Sequence, residues 1–366
     1  MKYFLLAFLS IAVLLNSCKK DDDNDDDNKT TNIMPSKFKV DIPESISSTD
    51  LQKSTSDAPL QGNEIYENLR TFIHIGEFSA DVVSEIMQAI ATHGIDEAMT
   101  FSFVSDDDGR TKDVAVTENV SINDVTWEYA LLMQDEDGDT AMQILWNRDP
   151  VVGIATLNPY DMNRNENEAL QNVMYQVEYS EAGDMGYENH MIVQISGWPI
   201  VENYSINNLK MFAGKNGTTI DVFGNSNHPI ARLVDSTYTE GLNWAFVAQG
   251  FTDSDIATAK VALATCNLQD TTNMFEDYSI YSVLNNELHS VYDPYITEWG
   301  NDTIQAIFNY YLQNTHAPAY FDETGFVSCG VSNMPSTPSG FSNLSLSGLK
   351  PYIPYDIDNL LVKFLE

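Results

Sequence analysis

Asp161, Asn163 and Asn165 stand at alternate positions, the spacing that sets the first three oxygen ligands of an EF-hand-type loop around calcium. Glu166 occupies the sixth position, where such loops need a turn-making Gly, and Asn172 the twelfth, where they need a bidentate Glu. Glu166 or Glu168 would then supply oxygen in a different geometry. Asp135, Asp137 and Asp139 repeat the alternation, with Thr140 and Trp146 at the two diagnostic positions. Both runs fall in connections between strands, where Asp and Asn also serve simply as turn formers. Calcium is therefore the only cofactor the sequence suggests, and two ordinary turns are the competing reading.

Catalytic patterns are scarce. The chain has no GxSxG, HExxH, GxxxxGKS/T or GxGxxG. Ser347 and Lys350 have serine–lysine spacing, but Pro351 follows in a loop-forming stretch that cannot supply the helical turn such a pair needs. The six histidines are scattered, none within four residues of another. His190 is expected to face solvent and His74 to border a helix interface. Glycoside hydrolysis needs two carboxylates at a set separation, and among 54 acidic residues abundance removes the information. No catalytic residue is assigned. Trp198 and Tyr204, beside Pro199 and a polar turn, are the candidate ligand-binding pair. Trp127, Tyr129 and Trp146 share their hairpin face with Leu131, Met133, Met142 and Ile144, and read as core.

The amino terminus carries a firmer signal. Lys2 precedes an apolar run from Tyr3 to Leu15, shorter than the ~20 residues a membrane-spanning helix needs, so residues 1–17 read as a secretory signal. Leu15-Asn16-Ser17-Cys18 resembles the lipobox of bacterial lipoproteins. The resemblance implies diacylglycerol on the Cys18 thiol, cleavage before it, and acylation (palmitate) of the new amine. Several acyl chains at ~0.8 kcal/mol per buried CH₂ make a stable anchor. Lys19-Lys20 and the acidic run Asp21 to Asp27, interrupted by Asn24, resemble the surface-export signal of certain Gram-negative lipoproteins. That implies an outer-membrane lipoprotein facing the cell exterior, with the periplasmic face as the alternative. A solvated acidic spacer explains the same residues.

Eighteen basic against 54 acidic residues give a formal net charge of −36. Such a chain repels phosphate backbones and excludes nucleic acid as a partner, and it leaves membrane contact to the lipid on Cys18. Apolar residues at 43% suffice for a core. Cys266 and Cys329 are the only cysteines after the anchor. In an oxidising compartment they could pair as a disulfide, or they remain two buried thiols.

Residues 18–60 read as an acidic flexible tether, within which Phe38 to Ile42 could add a strand to the domain. Residues 61–366 read as a single α+β domain: helices over 63–94, a curved antiparallel β-meander over 98–250, and a helical and loop part over 251–366. One helix presents Ile65, Leu69, Phe72 and Ile73 and ends at Gly76. Ser79 caps a second, which presents Val83, Ile86, Met87 and Ile90 and stops at Gly94. In the clearest hairpin, Asp135 to Gly138 form the loop, Met133 faces Thr140, and Trp127 faces Trp146, all eight inward residues on one side. Asn216-Gly217 predicts a type I′ turn. In all, about nine to eleven strands are expected. Asp253 is expected to cap a helix carrying Ile256, Lys260 and Leu263, followed by helices over Phe275 to Leu288 and from Asn301. Long sheets curled around helices occur in lipid-carrying envelope proteins such as the LolA-like group, a resemblance of layout alone. The expected function is a non-catalytic surface lipoprotein binding a glycan or lipid. The alternatives are an acidic-residue hydrolase of extracellular polymers and a structural or adhesive envelope component.

Overall fold

A computed structural model of the protein describes residues 33–48, 60–92, 94–165, 168–201, 205–235, 237, 240–264, 273–336, 340–349 and 356–366. The signal peptide, Cys18, the acidic run, Tyr204 and Cys266 lie outside them. Thirteen strands form one antiparallel meander in chain order: β1 Met99–Val104, β2 Thr111–Ile122, β3 Val125–Asp135, β4 Thr140–Arg148, β5 Val151–Leu157, β6 Met174–Ser180, β7 Asn189–Ser196, β8 Asn208–Asn216, β9 Thr219–His228, β10 Leu242–Phe251, β11 Ile256–Ala264, β12 Ala319–Asp322 and β13 Gly325–Cys329. Helix α1 (Gly62–Ala91) precedes the sheet. Short α2 (Pro159–Met162) interrupts it, and α3 (Met274–Asp277), α4 (Ile280–Tyr292), α5 (Ile296–Trp299) and α6 (Asn301–Tyr311) follow β11. The class is α+β, as the hairpin pattern requires. Among the described residues no helix is long and apolar enough to cross a membrane.

Contacts divide the described residues into two compact units, the first drawn from 33–39, 78–191 and 361–366 and the second from 40–77 and 192–360. In the first unit β3 and β4 pair as Met133↔Met142, Leu131↔Ile144 and Tyr129↔Trp146, while Gln134 pairs with Thr140. The expected register is thus off by two residues. A bulge beside the loop leaves Ala141 as the extra residue, and parity along both strands survives it. Trp127 does change sides. It packs with Ala130, Leu145, Val120 and Ile122, on the face opposite Leu131. Asn119, opposite this end of β3, has φ 53°, and that left-handed residue swings Val120 and Ile122 across the sheet as well.

Residues 33–39 belong to this unit and are no tether. Trp146 donates its indole N–H to the Ile33 carbonyl at 2.9 Å. The Phe38 ring lies over Gly153, where a Cβ would stand 2.9 Å from it, and 5.5 Å from the Tyr179 ring. At the other terminus Gln143 exchanges two hydrogen bonds with the Leu365 backbone, at 2.8 and 3.0 Å.

One helix, α1, replaces the expected two. A Cβ on Gly76 would stand 2.6 Å from the Met211 methyl, so Gly76 serves close packing inside α1, and Ser79 is a buried interior residue. The chain leaves the helix at Gly94, φ 71°, as expected of a glycine after a helix end. Arg70 is buried and donates to the Ser45 and Glu44 carbonyls at 2.9 and 2.8 Å, with Glu67 as its counter-ion at 2.7 Å. Residues 40–48 are therefore also part of the fold.

The expected helix at Ile256 is β11, paired with β10 over nine residues and with β12 over three. Four alanines and burial of both faces erase its period-two signature. Gly217 alone in its turn has positive φ, at 57°, with Asn216 already paired to Thr219. The turn is Gly217-Thr218, with glycine first as in type II′. The helix expected over Phe275 to Leu288 breaks at Ser279, whose hydroxyl accepts from the Ser282 N–H at 3.2 Å and restarts it as α4. Leu288, Ile304 and Phe308 bind α4 to α6.

Candidate functional site

The two alternating Asp/Asn runs converge in the first unit. The loops after β1, β3 and β5 bring together Asp108, Asp135, Asp137, Asp139 and Asp161, and three cations fill the space among them. Lys112, 1% exposed, reaches Asp135 Oδ1 at 2.8 Å, Asp108 Oδ2 at 3.0 Å and the Asp161 carbonyl at 3.0 Å. Arg110 grips Asp135 through Nε and Nη2, at 2.8 and 2.5 Å to Oδ2. Arg164 reaches Asp139 at 2.7 Å, Asp161 at 2.9 Å and Asp137 at 3.1 Å.

Burial alone would raise the Asp135 pKa. Hydrogen bonds and charge from Arg110 and Lys112 outweigh it and hold the carboxyl well below the usual range. Burial raises Asp161, opposed by Arg164.

The calcium reading is corrected by these partners. Asp161 is paired with Arg164, Asn163 accepts from the Asn165 backbone at 3.0 Å, and Asn165 donates to the Asp107 carbonyl at 2.6 Å. The Asp161, Asp135, Asp137 and Asp139 carboxylates meet guanidinium or ammonium groups, and the Asn163 oxygen meets a backbone N–H. Among the described residues no group of three or more His, Cys, Asp or Glu is arranged to hold a metal ion. The arrangement ties three loops together.

The histidines also find their places. His190 is buried, contrary to expectation, with Nδ1 3.2 Å from Asp184, and burial lowers its pKa. His74 meets the Ser47 hydroxyl at 3.2 Å, but that hydroxyl donates to Glu77 at 2.5 Å. In a nucleophilic triad serine gives its proton to histidine, so this trio does not form one. Ser226 and His228, 2.7 Å apart, are sealed at 0% exposure. Cys329 is a buried free thiol. Tyr129 and Trp146 stack in the core at 5.3 Å, as their face predicts.

The second unit holds a pocket of about 300 Å³, the lower end of the range for small-molecule sites, roughly 300–1,000 Å³. Asn207, Asn227 and Asn243 line it with Glu240 and Asp358. Asn227 and Asn243 are cross-strand partners on β9 and β10. Asn227 Nδ2 donates to Asn243 Oδ1 at 3.2 Å and to Asp358 Oδ1 at 2.5 Å. Its Oδ1 is buried with no partner.

Trp198 is half-buried and tied to the lining. Its N–H donates to the Asn207 carbonyl at 3.0 Å, and Asn207 Nδ2 donates to the Trp198 carbonyl at 2.8 Å. The pocket residues are far apart in sequence, so no spacing announces them. The one available signal is the polar run Asn225-Ser226-Asn227-His228 inside a buried strand. No family model, curated protein or solved structure matches the chain.

Proposed function

We propose that the protein is a lipid-anchored surface lipoprotein that binds a glycan without transforming it. The observation that carries the binding reading is the pocket lined by three amides, Asn207, Asn227 and Asn243, and two carboxylates, Glu240 and Asp358. Amides and carboxylates pair with sugar hydroxyls. The Trp198 backbone is bonded to Asn207 on both sides and so fixes that residue of the lining. These polar linings favour a glycan over a lipid.

The anchor reading rests on Leu15 to Cys18 and the acidic run beyond. The full chain is expected to be shed from cells as Cys18→Ser, and replacement of Asp21 to Asp27 by Asn is expected to abolish its cleavage by protease added outside. Calorimetry of the unlipidated mature chain against a glycan and lipid panel, with and without calcium, tests the ligand. Lipid binding without sugar binding, or no ligand in any condition, overturns the glycan reading.

The second reading is a hydrolase, favoured by the two carboxylates, Glu240 and Asp358, in one pocket. Release of reducing ends from a bound oligosaccharide, lost in both Glu240→Gln and Asp358→Asn, would establish it.

A further inference from the structure

We infer that an exposed aromatic face around α5 docks an arginine-bearing segment of a partner protein. The face shares no residue with the pocket lining, so the inference stands apart from the glycan reading. Its rings come from the run Tyr292-Asp293-Pro294-Tyr295-Ile296-Thr297-Glu298-Trp299. Tyr292 and Ile296 pack against the core of Leu288, Ile304 and Phe308. Helical spacing brings Tyr295 and Trp299 together, with ring centroids 4.8 Å apart and planes at 19°, and Tyr292 approaches Trp299 at 6.1 Å. Tyr295 and Trp299 remain 43% and 41% exposed. Asp293 and Glu298 are exposed beside them in the chain. Asp293 holds His289 at 3.1 Å, and Glu298 has no ion-pair partner among the described residues.

The same chain shows twice what such a face takes. Arg148 stands 5.0 Å over the Tyr129 ring and pairs with Glu128 at 2.6 Å. Arg164 stands 4.8 Å over the Tyr160 ring and pairs with Asp161 at 2.9 Å. In both, the ring takes the flat face of the guanidinium and the acid next to it in sequence takes the ionic edge. Tyr292-Asp293 and Glu298-Trp299 repeat that adjacency without a cation. The sequence holds no Lys or Arg from 261 to 349, and none from elsewhere lies over either ring among the described residues. A guanidinium from outside completes the arrangement. A sugar would use the rings and leave the carboxylates without a counter-charge, and a lysine would bring charge without a planar face.

A chain of net charge −36 attracts any cation, so the test relies on variants that leave that charge unchanged. The unlipidated mature chain is titrated with blocked pentapeptides carrying two arginines, two lysines or two citrullines, and with a glucose oligomer. Affinity is read by calorimetry and location by the NMR signal of the Trp299 indole N–H. The arginine peptide is expected to move that signal and to bind more tightly than the lysine peptide, and the citrulline peptide to leave it in place. Trp299→Ala and Tyr295→Ala are each expected to weaken the arginine peptide by about two- to fivefold, the size of an exposed cation–π contact. Glu298→Gln, which disturbs no ring, is expected to weaken it too, and melting temperatures verify that all three variants are folded. Affinity unchanged in all three assigns the binding to the general field and overturns the inference. Equal affinity for the arginine and lysine peptides removes the guanidinium and overturns it as well. A Trp299 signal moved by the glucose oligomer and not by the arginine peptide would make the face a sugar platform instead.

Discussion

Lys112 has nowhere to go if its partners change. Its ammonium sits 2.8 Å from Asp135 and 3.0 Å from Asp108, with all three side chains 1% exposed or less. Removing one member of such a buried pair leaves an uncompensated charge and costs about 3–5 kcal/mol. Lys112→Met is expected to lower unfolding stability by that amount in urea titrations; a loss below about 1 kcal/mol would show the acids rehydrating freely. The pH dependence has a definite sign. Asp135 and Asp108 are both held below the ordinary carboxylate range. Their contribution is complete above the unfolded pKa of ~3.9 and drains away as pH falls below it. Burial raises Asp161 and Asp107, so their protonation returns part of the loss. The melting temperature is expected to fall between about pH 5 and pH 3, and Asp135→Asn, weaker at pH 7, to fall less over the same interval. An equally steep fall in the variant removes Asp135 from the account. The same residues set the limit of sequence reading: Asp161-x-Asn163-x-Asn165 announces an oxygen-rich turn, but not that Arg110, Lys112 and Arg164 will fill it. The cations come from loops and strands whose convergence is a property of the fold.

Elements were legible where burial was one-sided. β1 coincides with the expected Met99 to Val104, and β3 and β4 were bounded within about a residue because their faces alternate. β11 carries Ile256, Lys260 and Leu263 at helical spacing behind Asp253, while its four alanines and two buried faces hide the alternation of a strand. Gly76 looked like a stop because its reason, the Met211 methyl, lies more than a hundred positions away. The segment 33–48 looked like spacer because it is extended and lacks period, yet its apolar residues are buried singly against separate elements. Phe38 is its most telling residue, 1% exposed over Gly153. Phe38→Ala is expected to cost about 3–5 kcal/mol and to speed amide exchange in residues 33–39 before it affects β3 and β4. Uniform acceleration across the unit would mean that the segment folds with the sheet as one piece and does not dock onto it.

For the molecule as a whole, charge decides more than any one contact. The pocket was illegible in the sequence since Asn207, Asn227, Glu240 and Asp358 meet only after three strands and a distant terminal turn are in place. Net charge needs no fold to be read. At −36, exposed carboxylates repel one another in the compact state more than in the open chain, and salt weakens that repulsion as the Debye length falls from ~30 Å at 0.01 M to ~10 Å at 0.1 M. The buried pairs at Lys112 lie beyond the reach of that screening, so added salt removes repulsion while leaving them in place. The melting temperature is therefore expected to rise by a few degrees, on the order of 3–8 °C, from 0.01 to 0.5 M sodium chloride. Calcium and magnesium compared at matched ionic strength separate a site from a field. Equal stabilisation by the two is expected, because arginine and lysine already occupy the acidic loops. A clear advantage for calcium, persisting in Arg164→Gln, would mean a cation site elsewhere, and one lost in that variant would mean that Arg164 holds the site together.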